Sequence, residues 1–177
     1  MNPQAEVSAG TLRDGSRVTI RPIRKQDVEL ERRFIEALSP EARRFRFGYT
    51  MRTPGDALLT QLTDIDSAHD AALIALVDEA GGQREIGVAR YSSTQDGRAE
   101  VAVTVLDDWQ NRGLATLLMK RLIDLARRRG IGTLYSTDSS SNEPMRRLAR
   151  DLGFAQKTMP GDVGQIMYSL ELTPAAD

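Results

Sequence analysis

The 177 residues, 40% of them hydrophobic, suffice for one domain with a filled core, and a formal net charge of −1 gives no general attraction for nucleic acid. The absence of cysteine removes disulfides, thiolate metal ligands and a cysteine nucleophile, and no metal site is expected. The polar start Met-Asn-Pro-Gln-Ala-Glu has no basic-then-apolar leader pattern and no run approaches the roughly 18 apolar residues of a membrane span, so a soluble, cytoplasmic protein with no membrane partner is expected.

Residues 1–16 read as an extension ahead of the first patterned element. In Arg17-Val-Thr-Ile-Arg21, Val18 and Ile20 alternate with polar residues as on a half-buried strand, which Pro22 ends. Asp27 to Leu38 reads as a helix with Leu30, Phe34, Ile35 and Leu38 on one stripe. Ser39-Pro40 restarts a short helix, and Thr53-Pro54 reads as the cap and first turn of another through Leu58, Leu59 and Leu62. Three strands follow: Ala71 to Val77, Glu85 to Ser92 and Arg98 to Leu106, with turns at Glu79-Ala-Gly-Gly82 and Gln95-Asp-Gly97. Leu114, Leu118, Leu122, Leu125 and Ala126 mark a long helix that closes at Gly130, with Arg127 to Arg129 as ordinary cations of its last turn. Ile131 to Thr137 is a strand. Asn142-Glu-Pro144 opens a helix ending at Gly153, strands from Phe154 and over Gln165 to Leu172 complete the series, and residues 173–177 form a frayed tail.

The junction at residues 106–116 carries the chemistry. An apolar strand runs into a polar turn and then a helix, whose first N–H groups lack intrahelical partners and bear the positive end of the dipole, so a phosphate can satisfy them. Gly113 lets a ligand approach the backbone. No Gly-x-Gly-x-x-Gly follows any strand and no Gly-x-x-x-x-Gly-Lys-Ser/Thr occurs, which disfavours dinucleotide and nucleoside-triphosphate sites. The spacing Gln110-x-x-Gly113-x-Ala115 resembles the pyrophosphate-binding motif of the GNAT acyl-CoA-dependent N-acetyltransferases. A second landmark, Asn142 through Leu152-Gly-Phe154, is similar to that family's Asn-anchored helix. The resemblance spans residues 17–172 and implies an α/β (α+β) GNAT fold: a mixed, mostly antiparallel sheet of six or seven strands flanked by helices. Finer likeness in Val18 to Arg24, Leu38 to Phe47 and Glu85 to Arg90 is to the acetyltransferase domain of bacterial protein lysine acetyltransferases that modify acyl-CoA synthetases.

The resemblance implies acetyl-CoA as co-substrate. Gln110, Asn111, Arg112, Gly113, Leu114, Ala115 and Thr116 would hold the pyrophosphate, and Val103 and Val105 would offer strand hydrogen bonds to the pantetheine arm. In the family a bulge splays this strand from its neighbour, a role that Leu106-Asp107-Asp108 could fill. Asn142 resembles the residue that hydrogen-bonds the pantetheine region, with capping of its helix as the alternative. Acyl transfer needs a neutral amine, yet a lysine has a pKa of roughly 10.4, so a base must accept its proton. Glu100 matches the family's glutamate base, with His69 as the other candidate, whereas Asp107 and Asp108 merely solvate the turn. The superfamily's usual tyrosine acid falls at Ala149 here, leaving water, Tyr135, Tyr168 or Ser136 to protonate the thiolate. The expected acceptor is a protein lysine, with an acyl-CoA synthetase as candidate partner. A small amine, an aminoacyl terminus or a non-catalytic acyl-CoA sensor are the alternatives. Arg43 to Phe47 and the loop around His69 would border the acceptor side, with Phe45 and Phe47 in the core.

Overall fold

The computed structural model describes residues 6–49 and 51–173. The polar start and the tail beyond Thr173 lie outside the described residues. Eight strands form one sheet in the order β1-β2-β3-β4-β5-β6-β8-β7. They are β1 (Ser8–Thr11), β2 (Arg17–Pro22), β3 (Asp70–Glu79), β4 (Gly82–Ser93), β5 (Arg98–Val105), β6 (Thr133–Ser139), β7 (Ala155–Met159) and β8 (Asp162–Glu171). Every neighbouring pair is antiparallel except β5–β6, which is parallel because a helix carries the chain back across the sheet between them. Among the described residues no helix is long and apolar enough to cross a membrane.

The helices are α1 (Val28–Ala37), α2 (Pro40–Phe47), α3 (Asp56–Thr63), α4 (Leu114–Arg128) and α5 (Glu143–Asp151). The stripe on α1 buries Phe34 and Ile35 against one sheet face, and Leu118, Leu122, Leu125 and Ala126 of α4 are buried against the other. Ser39 caps α2, its hydroxyl accepting from the Ala42 N–H at 3.1 Å. Of the arginines closing α4, Arg127 meets Asp124 at 3.2 Å, and Arg129 donates to the Asp70 carbonyl and to the Tyr91 hydroxyl.

Three elements depart from the pattern reading. The helix after Thr53-Pro54 begins two residues later, with Gly55 as N-cap and Pro54 buried ahead of it. The expected bulge at Leu106 to Asp108 is a 3₁₀ turn over Asp107–Trp109, and the β4–β5 register runs unbroken. The 1–16 extension contributes an edge strand, so the sheet has one strand more than expected. Ser-Ala-Gly-Thr has no apolar alternation to betray it. Gly10 suits the close crossing of α4: a β-carbon would lie 2.7 Å from Leu117 Cδ2 and push that side chain aside. Arg121 of α4 also donates to the Ala9 carbonyl at 2.7 Å.

Candidate active site

Strand β5 pairs with β6 at three positions only, Arg98↔Thr133, Ala99↔Leu134 and Glu100↔Tyr135. Past Glu100 the two strands separate, and a cleft of about 530 Å³ opens between them. Its walls include Val101 to Val105 on one side and Ser136 to Asp138 on the other. The Leu106 N–H donates to the Ile86 carbonyl across β4–β5, so by the antiparallel alternation Val103 and Val105 turn their N–H and C=O groups away from β4 and toward the cleft. Backbone groups without a strand partner are strong hydrogen-bonding sites for an extended ligand.

At one end of the cleft lies the turn from Gln110 to Thr116. Asn111 at φ +60° and Gly113 at φ +86° are both left-handed, and they reverse the chain so that α4 starts directly beyond β5. Asn tolerates this conformation better than most residues. No side chain caps α4, and its first backbone bond is Leu117 N–H to the Gly113 carbonyl, which leaves the N–H groups of Leu114, Ala115 and Thr116 for a ligand. Gln110 donates from Nε2 to the Val105 carbonyl at 3.3 Å, tying the turn to the strand. Arg112 is the one turn residue whose side chain leaves the cleft. Its guanidinium bonds the Asp14 carboxylate at 2.9 Å and the Asp108 carbonyl at 2.7 Å, and stacks 4.6 Å from the centre of the Trp109 ring. In its place Arg13, from the loop between β1 and β2, lines the cleft beside Gly113. Sequence reasoning missed Arg13 because only the fold of β1 brings it there.

At the other end stands Glu100, the last β5 residue paired to β6, exposed at the cleft wall. It shares the α1 side of the sheet with Arg90, which donates to Glu31 of α1 at 3.2 Å, whereas Val103 and Val105 share the α4 side with Gly87. Phe45 and Arg46 of α2 complete this end. Phe45 therefore borders the cleft instead of belonging to the core, while half-buried Phe47 packs against the core. Asp107 anchors α2 in place, accepting from the Ser39 N–H at 3.0 Å, a longer-range role than solvating its turn. Asp108 likewise meets Arg84 at 3.6 Å.

A buried charged cluster lies behind Arg46. Glu31 and Glu85 are buried side by side; burial, then the neighbouring Glu31, pushes the Glu85 carboxyl well up and favours its protonated form. Burial also raises Glu31, against the pull of Arg90. Burial and Arg90 draw Arg46 down to about 10, so it remains a cation at neutral pH, with Glu31 and Glu100 opposing the shift.

Asn142 caps α5, accepting from the Met145 N–H at 3.2 Å, and donates to Asp138 at 3.0 Å while lining the cleft. Ala149 is buried in α5 and offers no donor. Of the three hydroxyls considered for thiolate protonation, Ser136 lines the cleft. Tyr168 is buried and pairs with Ser136 across β6–β8, and Tyr135 lies under the Arg98 guanidinium at 5.2 Å. His69 stays outside the cleft on an exposed loop, its Nδ1 2.7 Å from Asp66, whose carboxylate raises the imidazole pKa. Among the described residues no group of His, Asp or Glu is placed to hold a metal ion.

A slot between diverging strands, with an uncapped helix start at one end and a carboxylate at the other, has room and hydrogen-bonding groups for an extended, anionic ligand. The chain belongs to the GNAT acetyltransferase family, whose model matches residues 34–154, and it has the GNAT fold and is an N-acetyltransferase of the acetyl-CoA-using kind. It is 46% identical over 163 residues to Acetyltransferase PA5475 of Pseudomonas aeruginosa, covering 92% of this chain and 88% of that one. It is 30% identical over 170 residues to Acetyltransferase Pat of Mycolicibacterium smegmatis, covering 92% of this chain but 48% of that protein, so the chain spans about half of this relative. The crystal structure of the GNAT domain of S. lividans PAT superposes with a TM-score of 0.84 at 28% identity, covering 94% of this chain and 97% of that one.

Proposed function

We propose that the protein transfers the acetyl group of acetyl-CoA to a primary amine by direct attack, that the amine is a protein lysine, and that Glu100 is the general base. The observation that carries this reading is the position of Glu100 at the apex of the β5–β6 slot. An acyl carrier with its pyrophosphate on Leu114, Ala115 and Thr116, and its pantetheine arm along Val103 and Val105, runs toward that apex, so its thioester ends beside the carboxylate. Glu100 takes the ammonium proton, the amine nitrogen attacks the thioester carbonyl, and collapse of the tetrahedral intermediate breaks the carbon–sulfur bond. Of Tyr135, Tyr168 and Ser136, it is Ser136 that lines the slot and would protonate the departing thiolate, which is stable enough to leave without it. The backbone of Asn111 and Gly113 shapes the phosphate turn and Gln110 braces it. Arg112 serves it from behind, through Asp14 and Trp109. Asn142, which caps α5 through its Oδ1 and donates one amide hydrogen to Asp138, has the other amide hydrogen left for the arm.

The exposed position of Glu100 supports a protein acceptor, because the acceptor end is open to solvent and a folded partner can present a side chain there. The carboxylate in the cleft disfavours a non-catalytic sensor. The likeness of Leu38 to Phe47 and Glu85 to Arg90 to lysine acetyltransferases that modify acyl-CoA synthetases supports such a synthetase as partner, and we propose the cytoplasm as the site of the reaction. Two measurements test the reading. Glu100→Gln removes the base at nearly constant shape and is expected to lower turnover about 10²- to 10⁴-fold at pH 7, with coenzyme A binding intact and the defect shrinking as pH rises. Mass spectrometry after incubation with acetyl-CoA is expected to find acetyl-lysine on acyl-CoA synthetases. Rapid acetylation of small amines with none on such proteins would transfer the assignment to a small-amine acetyltransferase.

A further inference from the structure

We infer that Arg13 is a pyrophosphate-binding residue of the acetyl-CoA site, supplied by the strand pair β1–β2 from outside the region matched by the family model. The inference rests on the placement of the phosphates at residues 110–116.

The turn has a charge deficit that needs filling. A pyrophosphate diester brings about two negative charges, and the turn offers backbone N–H groups and half a dipole charge. Its own cation, Arg112, is already spent on Asp14 and the Asp108 carbonyl. Arg13 supplies the missing charge. Its backbone N–H donates to the Arg112 carbonyl at 3.0 Å, which pins the β1–β2 loop against the turn. Its side chain crosses the face of Gly113: a β-carbon there would lie 3.3 Å from Arg13 Nε and 3.4 Å from its Cγ. Among the described residues, no carboxylate or carbonyl accepts a hydrogen bond from this guanidinium. The adjacent Asp14 carboxylate, the natural competitor, is occupied by the Ser16 N–H at 2.9 Å and by Arg112. Asp14 thus diverts Arg112 and leaves Arg13 free for an anion, which a planar guanidinium can meet with two parallel donors.

The test is calorimetric titration of the full chain and of Arg13→Gln with coenzyme A and with dephospho-coenzyme A, which keeps the pyrophosphate and lacks the 3′-phosphate. A lost charge-assisted contact predicts affinity for both ligands lower by the same factor, about 10- to 100-fold, with an unchanged Tm for the unliganded variant. Arg13→Lys is expected to recover part of the loss. Affinities within twofold of the parent overturn the inference, as does a loss for coenzyme A alone, which would move Arg13 to the 3′-phosphate. A parent chain that binds neither ligand would instead overturn the reading of the turn itself.

Discussion

Replacing Gly113 by valine separates two quantities that the turn joins. At φ +86° a β-branched residue pays roughly 1–2 kcal/mol for the left-handed conformation, which for a chain of this size lowers Tm by about 2–8 °C. The new β-carbon would also lie 3.3 Å from Arg13 Nε, so that side chain must move, and the two γ-methyls stand where a phosphate would meet the Leu114, Ala115 and Thr116 N–H groups. Hydrogen bonds to a charged group are worth about 1.5–3 kcal/mol each, and losing two weakens coenzyme A by about 3–6 kcal/mol, or roughly 10²- to 10⁴-fold. Gly113→Ala carries the backbone strain without the γ-methyls and is expected to reproduce most of the Tm loss but a smaller loss of affinity. Thermal unfolding of the unliganded variants and calorimetric titration with coenzyme A measure the two effects independently. A folded Gly113→Val variant that binds coenzyme A like the parent would refute the placement of the phosphates on this turn.

Glu85→Gln is expected to flatten the pH dependence of stability. The folded pKa lies above the ordinary 4.5, so the unfolded chain ionises first as pH rises, and folding stability falls by about 1.36 kcal/mol per pH unit between the two values; the glutamine variant lacks that slope. Urea unfolding from pH 4 to 8 checks it, and parallel curves for the two proteins would contradict it. For Asn142, alanine should cost about 1 kcal/mol through the lost cap, whereas serine should keep the cap and weaken coenzyme A by about 2- to 10-fold through the lost amide hydrogen. Unchanged affinity in Asn142→Ser would confine that residue to capping.

The shape of the turn at residues 110–116 is legible in the sequence because a six-residue stretch determines most of it: Gln110 braces the strand, Gly113 takes the left-handed conformation, and Leu114 begins an unmistakable amphipathic helix. The left-handed Asn111 follows the same local logic. The helix stripes were equally plain, since one period decides which side chains are buried. Arg13 was not legible. Its place beside Gly113 depends on β1, four residues without apolar alternation that fit under Leu117 and Arg121 at Gly10, a contact across more than a hundred residues. Glu31 was hidden inside a helix stripe for a related reason. Periodicity predicts a buried face but not that a carboxylate on it will be matched by Arg90 from a strand 59 residues away.

The slot itself illustrates the same division. The family resemblance implies a bulge that separates the strands, a local device that a few residues can encode. The separation instead follows from topology. An antiparallel meander constrains β5 along its whole length against β4, and the α4 crossover returns β6 in parallel, where only three residues register with β5 while all seven pair with β8 on the other edge of β6. From that point β5 has one satisfied edge and one open edge, and its outward groups at Val103 and Val105 must find partners elsewhere. The residue at the fork inherits a fixed position relative to any ligand that adds to the open edge, and in this chain it is Glu100. A carboxylate there needs no mobile loop to carry it to a thioester lying along that edge, which is why we propose the proton-accepting role for Glu100 ahead of His69, whose exposed loop lies outside the cleft and whose imidazole is already engaged by Asp66.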